Sequence, residues 1–180
     1  MKYILIIALF VTHITTAQKQ FTKTGLTTFK ASVDTFEPVE AKNESTTVIL
    51  NTETGELAAL LFVKAFHFEI ALMQEHFNEN YMDSDKYPKA TFTGQLVDFN
   101  RDNLASEPKA FTLKGVLTVR GKEKTINTVA QVKKEKNKII LTAIVSVTPE
   151  EFNIKIPGIV RNKIAKSINI TLHYELVEKK

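Results

Sequence analysis

Apolar and polar residues alternate with a period of two along most of the chain beyond residue 17. Between Ala110 and Arg120 the apolar side chains fall on one face and threonine, lysine and arginine on the other, and Ile164 to Val177 repeats this alternation. Because successive side chains of a strand point to opposite faces of a sheet, this period predicts strands. The predicted strands cover residues 20–33, 45–50, 56–66, 90–100, 110–120, 125–133, 138–147 and 164–177.

One stretch has helical rather than strand spacing. From Glu69 to Phe77 the apolar residues fit one face of a short helix. The following segment, Asn78 to Pro88, is polar and rich in helix-breaking residues, so the helix cannot extend far. The pattern therefore predicts one short helical lid around residues 69–82. Its apolar face carries Ile70, Leu72, Met73, His76 and Phe77.

The predicted strand from Glu56 to Phe66 is apolar on both faces. A strand of this kind is usually covered on both sides. We therefore expect the helix Glu69–Phe77 to pack near one face of this strand.

Mostly short, polar connections join the predicted strands, such as the turn Arg120-Gly121-Lys122-Glu123. Short turns connect antiparallel neighbours, whereas parallel pairs need a crossover helix each time. The predicted fold class is therefore all-β, an antiparallel up-and-down eight-stranded barrel with one short helical lid. On the pattern alone, a two-sheet sandwich is the alternative.

The N-terminus has the layout of a secretory signal peptide. Lys2 precedes an apolar run from Tyr3 to Val11, and small and polar residues end in Ala17. The run is far shorter than the roughly 20 residues that a membrane-spanning helix needs, although an uncleaved anchor is the alternative. We predict a signal peptide over 1–17, a single domain over 18–180, no membrane span, and a periplasmic or secreted location.

The amino-acid composition and the net charge exclude some kinds of function. The chain has no cysteine, so it lacks the residue that carries the lipid of a bacterial lipoprotein, and thiol chemistry is excluded. Its net charge of +4 is small, and the lysines are dispersed rather than gathered in a dense basic stripe. Nucleic acid is therefore not an expected partner.

Candidate catalytic and metal-binding residues are few. Glu75 and Glu79 could share a helix face near His67 and His76, but the spacing places no third ligand on that face. We predict no metal site and interpret His76 as a wall residue. No nucleophile motif, phosphate loop or paired-carboxylate motif stands out, so we do not expect an enzyme.

A longer motif spans the lid and two of the predicted strands. Its positions are Met73, Glu75, His76, Phe77, Tyr81, Tyr87, Pro88, Ala90, Phe92 and Gly94, then Gly115, Leu117, Thr118, Gly121 and Lys124. This pattern resembles the YceI-like family of polyisoprenoid-binding, lipocalin-like secreted proteins, and the resemblance covers the whole chain after the signal peptide. One departure lies near the C-terminus, where Glu151-Phe152-Asn153-Ile154 has asparagine at the family's glycine position.

The resemblance implies a lipocalin-like barrel that encloses a polyisoprenoid or another long-chain amphiphile. The inward faces of the predicted strands are aliphatic and aromatic and carry no charge, which suits an apolar tail. Gly94 and Gly115 share that face. Each glycine either leaves a gap for the ligand or lets its strand bend at a barrel corner. The predicted ligand-binding residues are Phe66, Phe68, Met73, His76, Phe77, Tyr81, Tyr87, Phe92, Gly94, Leu96, Phe111, Leu113, Gly115, Leu117, Phe152, Ile168 and Ile170.

The sequence supports two different functions. The first is a secreted or periplasmic lipid-binding protein whose partner is a hydrophobic small molecule, either a fatty-acid-like lipid or an isoprenoid such as a quinone. The alternative is a structural or stress-related interaction protein whose barrel is filled by its own side chains. Neither function requires a cofactor. The sequence leaves a homodimer open.

Overall fold

The computed structural model describes residues 19–33 and 37–178, and the predicted signal peptide lies outside these residues. Within these residues, nine strands follow one another. They are β1 (Lys19–Ser32), β2 (Glu40–Asn51), β3 (Glu56–Phe62), β4 (His67–Phe68), β5 (Lys89–Leu96), β6 (Lys109–Val119), β7 (Lys122–Glu135), β8 (Lys138–Val147) and β9 (Ile164–Glu178).

Eight of these strands close into an antiparallel barrel. Each pairs with the next of the eight along the chain, and β1 closes the ring by pairing with both β2 and β9. The short β4 pairs with β2 beyond the end of β3. The predicted eight-stranded up-and-down barrel is therefore confirmed, and the sandwich is excluded.

A helical insertion lies between β4 and β5, as predicted. Helix α1 (Ala71–His76) continues into a π-helical turn, Phe77–Tyr81. Short 3₁₀ helices lie outside this insertion, at Val63–Ala65, Arg101–Asn103, Pro149–Phe152 and Gly158–Val160.

The expectation that the strand from residue 56 to residue 66 is covered on both faces is wrong. Strand β3 ends at Phe62, because the 3₁₀ turn Val63–Ala65 bends the chain there. On the outer face Ala58 is exposed and Phe62 is 50% exposed. Besides the π-helical turn that follows it, α1 contacts mainly β4, beyond the end of β3.

The two ends of the barrel differ. At the end where β2 meets β3 and β7 meets β8, a closed core includes Leu50, Leu96 and Leu176, none of which has exposed surface. The β5–β6 loop caps this end with Phe99, whose ring lies 5.4 Å from that of Phe111. The opposite end, bounded by α1 and the segment 148–163, is open inside.

Candidate ligand-binding cavity

A cavity of about 460 Å³ occupies the open half of the barrel. This volume is within the range of ligand sites in proteins. Its walls come from inward residues of several strands, such as Leu113 and Leu117 of β6 and Ile168 and Ile170 of β9. The cavity is therefore formed by the barrel itself and deepens toward its closed core.

Four phenylalanine rings form one side of the cavity mouth. Phe29 of β1 stacks on Phe77, with 5.5 Å between the ring centres. It meets Phe66 and Phe68 edge-on, with ring centres 5.3 and 5.9 Å away. Phe77 also contacts Phe66 and Phe68, at 5.6 and 5.1 Å. Pairs of this kind contribute about 0.5 to 1.5 kcal/mol each beyond area burial. The cluster therefore holds the helical lid against the barrel wall.

Hydrogen bonds also hold the lid in place. The amide of Phe68 donates to the side-chain oxygen of Gln74 at 3.3 Å. The amide of Val63 donates to the carbonyl of Pro88 at 2.9 Å, which joins the start and the end of the insertion. Met82, which follows the π-helical turn, is buried and lines the cavity. The lid is thus a fixed part of the cavity wall in this structure.

A short chain of hydroxyl groups interrupts the apolar wall. The hydroxyl of Thr27 lies 2.9 Å from that of Thr46 and 3.1 Å from that of Tyr174. All three residues are buried and line the cavity. Burial raises the pKa of Tyr174 to about 12, although the hydrogen bond with Thr27 acts in the opposite direction. The group is therefore neutral at physiological pH.

The segment after β8 forms another side of the mouth. Thr148 and Glu151 cap the 3₁₀ helix Pro149–Phe152 reciprocally. The pKa of Glu151 is lowered, first by the hydrogen bond from Lys124 and then by that from the Thr148 amide. Asn153 then adopts the left-handed conformation with φ of 57°. Arg120 donates to the Asn153 carbonyl at 2.7 Å. This arrangement places the buried ring of Phe152 against the cavity.

Charged and polar groups are found mainly at the mouth. Three lining residues there have carboxylate, imidazole or ammonium groups, Glu37, His76 and Lys163, and all three are exposed. Among the described residues, no group of three or more histidine, aspartate or glutamate side chains is placed to hold a metal ion. The described helices also include none that is long and apolar enough to cross a bilayer.

Comparison with protein families decides the identity of this barrel. The model of the YceI-like domain matches residues 9–176. The chain belongs to the YceI-like family. The predicted resemblance is therefore confirmed. A search of curated proteins finds no match.

Solved structures share this YceI-like fold at low sequence identity. A polyisoprenoid binding domain from Saccharophagus degradans, implicated in plant cell wall breakdown, has a TM-score of 0.76 and 13% identity over 91% of this chain and 99% of that one. Burkholderia cenocepacia BcnA has a TM-score of 0.69 and 15% identity over 84% and 96% of the two chains. The Campylobacter jejuni YceI protein has a TM-score of 0.57 and 18% identity over 100% and 99%.

Most of the predicted ligand-binding residues line the cavity of this YceI-like barrel, although their binding role stays a prediction. The residues on the wall are Phe66, Phe68, Met73, His76, Phe77, Tyr81, Phe92, Leu113, Leu117, Phe152, Ile168 and Ile170. Leu96 and Phe111 belong to the closed core instead. Tyr87 packs against Gly121, with the charged groups of Lys86 and Arg120 at 5.3 and 5.8 Å from its ring centre.

Gly94 and Gly115 leave no gap for a ligand, which corrects one of the two interpretations of these glycines. They face each other across the β5–β6 ladder. A Cβ atom added to Gly115 would lie 2.5 Å from Cζ of Phe92 and 2.6 Å from the Cα atom of Gly94. The Phe92 ring thus covers both glycines, and the strands approach closely beneath it.

Several lining residues were absent from the sequence-based set. Val39, Ile156 and Val160 lie in connections, where the period of two does not apply, whereas Phe29 lies in β1 beyond the register shifts next to Gly25. Tyr174 could have been found, because it follows Ile168, Ile170 and Leu172 on the same face of β9. Thr27 and Thr46 gave no signal, since register shifts next to Gly25 disturb the alternation of β1 and β2.

Proposed function

We propose that this protein is a secreted or periplasmic carrier that encloses the apolar tail of a polyisoprenoid or another long-chain amphiphile. The observation that carries the proposal is the apolar cavity of about 460 Å³, which opens at one end of the barrel and has the side chains of Glu37, His76 and Lys163 at that opening. The similarity in fold to the polyisoprenoid binding domain from Saccharophagus degradans supports the same ligand class.

The cavity also indicates how the ligand lies. An apolar tail gains free energy by entering the inner part, whereas a charged head group loses hydration there. Glu37, His76 and Lys163 at the mouth can contact a polar head instead. The tail therefore enters first and the head group stays at the mouth.

The energetics permit tight binding. Removing about 500 Å² of tail surface from water yields about 12 kcal/mol before costs. Association then costs about 4 to 15 kcal/mol in lost freedom of motion. Because the walls are preformed, we place the cost near the lower end of that range.

A matched pair of substitutions on β9 tests the proposal. Ile170 lines the cavity, and the next residue, Thr171, points outward and is exposed. Ile170→Trp should fill the cavity and abolish binding, because its larger ring takes the space of the tail. Thr171→Trp adds the same ring outside the barrel and should leave binding unchanged.

The measurement is native mass spectrometry of the purified protein, together with extraction into organic solvent. We expect a lipid to co-purify with the wild type and with Thr171→Trp but not with Ile170→Trp. Thermal unfolding of each variant checks that it is folded. A wild-type protein that carries no lipid and takes none up from a mixed lipid extract would contradict the carrier function and favour the structural alternative.

Location is tested separately. We propose that residues 1–17 are removed on export, so the protein from the periplasm or medium should begin at Gln18. N-terminal sequencing of protein from fractionated host cells measures this. Full-length protein confined to the cytoplasm would be the contrary result.

A further inference from the structure

The segment from Lys155 to Lys166 combines an interior and an exterior face at the cavity mouth. Ile156, Val160 and Ile164 line the cavity from this segment. Ile159, between them, points away from the protein and is 87% exposed. No atom lies within 4 Å of the position that a Cβ atom on the preceding Gly158 would take. An apolar tip thus projects beside the cavity opening.

The same segment is strongly basic. Between residues 155 and 166 the chain has Lys155, Arg161, Lys163 and Lys166, and it has no aspartate or glutamate. Lys155, Arg161 and Lys166 are exposed, and none of them forms an ion pair in the described part of the chain. The charges of these three side chains are therefore available to an anionic surface.

The helical lid at the mouth has a different charge. Helix α1 and the π-helical turn expose Leu72, which is 58% exposed, but also Glu75 and Glu79. Glu37 is a single carboxylate in the connection between β1 and β2, which adjoins the basic segment through the hydrogen bond from the Val33 amide to the Lys163 carbonyl. An anionic surface would repel the helical lid, so the basic segment is the part of the mouth suited to contact it.

We propose that the segment 155–166 docks on an anionic lipid bilayer, with Ile159 inserted among the head groups. An exposed apolar side chain flanked by lysine and arginine gains from both burial and charge attraction at such a surface. Docking through this segment turns the cavity opening toward the lipid. The use of docking to load the cavity rests on the proposed function, whereas docking itself does not.

Vesicle binding tests the proposal. The probe is co-sedimentation of the purified protein with phosphatidylcholine vesicles that contain a third of phosphatidylglycerol, compared with vesicles of phosphatidylcholine alone. All variants carry the same N-terminus, so any binding by that part of the chain is equal among them. We expect binding to the anionic vesicles, weak binding to the neutral ones, and release at high salt because the charges are then screened.

Two variants and one control locate the contact. Ile159→Asp should weaken binding by at least about tenfold, because an aspartate cannot be buried in the interface. Lys155→Ala with Arg161→Ala should weaken it about 25-fold, since each basic side chain near an anionic surface contributes about fivefold. Ile49→Asp is the control: Ile49 is 39% exposed on the outer face of β2, two residues before that strand ends at the closed end of the barrel, and its replacement should leave binding unchanged.

Lipid carriage by the same variants separates this proposal from the proposed function. Ile159→Asp should still co-purify with lipid, because Ile159 does not line the cavity. Equal vesicle binding by the wild type and Ile159→Asp would overturn the docking proposal and leave the carrier function intact. If the protein binds anionic vesicles but never carries lipid, the docking proposal stands and the carrier function is contradicted. A dimer in solution that Ile159→Asp dissociates would assign the tip to a second copy of the chain and would also overturn the proposal.

Discussion

The close approach of Gly94 and Gly115 leads to a quantitative prediction about stability. Gly115→Ala adds one methyl group, which would lie 2.5 Å from both Cζ of Phe92 and the carbonyl oxygen of Thr93, and 2.6 Å from the Cα atom of Gly94. Two of these three atoms belong to the backbone of β5. They cannot move away freely, because β5 is held between β3 and β6.

The expected destabilisation is about 3 kcal/mol. Overpacking a filled site costs about 1 to 3 kcal/mol, and the obstructing backbone puts Gly115→Ala at the upper end. Replacing glycine by alanine within a strand restores about 0.5 to 1 kcal/mol of chain entropy, which is too little to compensate. In a protein of this size a loss of about 3 kcal/mol lowers Tm by about 6 to 12 °C.

Urea unfolding followed by circular dichroism measures the effect, with Gly158→Ala as the matched control. Gly158 has open space around the new methyl group and no positive φ, so its replacement should change the free energy of unfolding by less than about 1 kcal/mol. Phe92→Leu in the Gly115→Ala background should recover only a small part of the loss, because the Thr93 carbonyl still obstructs the methyl group. Equal stability of the two alanine variants would refute the reasoning.

Two further predictions concern Tyr174 and Asn153. Because the pKa of Tyr174 is raised to about 12 in the folded protein, the free energy of unfolding should be unaffected by this group below about pH 10 and should fall by up to about 3 kcal/mol between about pH 10 and 12, as the unfolded chain ionises first. Tyr174→Phe should remove this part of the alkaline loss in urea unfolding at increasing pH, while Tyr87→Phe should retain it; identical pH profiles for the two variants would contradict the assignment. Since Asn153 has φ of 57°, Asn153→Gly should change stability little, whereas Asn153→Val should cost about 1 to 2 kcal/mol. Thermal unfolding of both variants measures this, and an equally tolerated valine would show that the left-handed turn is not required.

The strands with one buried face were predictable because their pattern reflects burial directly. Strand β6, predicted over residues 110–120, spans Lys109–Val119 in the structure. The first part of β2 was missed, because Lys42, Asn43 and Glu44 look like a loop. Asn43 is in fact fully buried, and its side chain donates to the carbonyl of Phe62 at 3.0 Å and accepts from the amide of Ser45 at 2.9 Å. A buried polar residue whose side chain is hydrogen-bonded to backbone groups interrupts the alternation of apolar and polar residues, so the strand is not recognised.

The candidate site was predictable only in part, for a related reason. Alternation along β6 and β9 places Leu113, Leu117, Ile168 and Ile170 inside the barrel. It does not show how far along the bore each residue lies, so Leu96 and Phe111 of the closed core could not be separated from the cavity wall. The relation between Gly94 and Gly115 depends on the register of two strands, which alternation alone does not determine.

The seam between β1 and β9 affects how the chain reaches its native state. Gln20 pairs with Glu178, so the first and last described strands meet only after nearly the whole chain has been made. Until then β1 presents an unpaired edge that can add a strand from another molecule. Contacts between residues so far apart in the chain also slow folding. Renaturation from urea should therefore be slow and should lose yield to aggregation as the protein concentration rises.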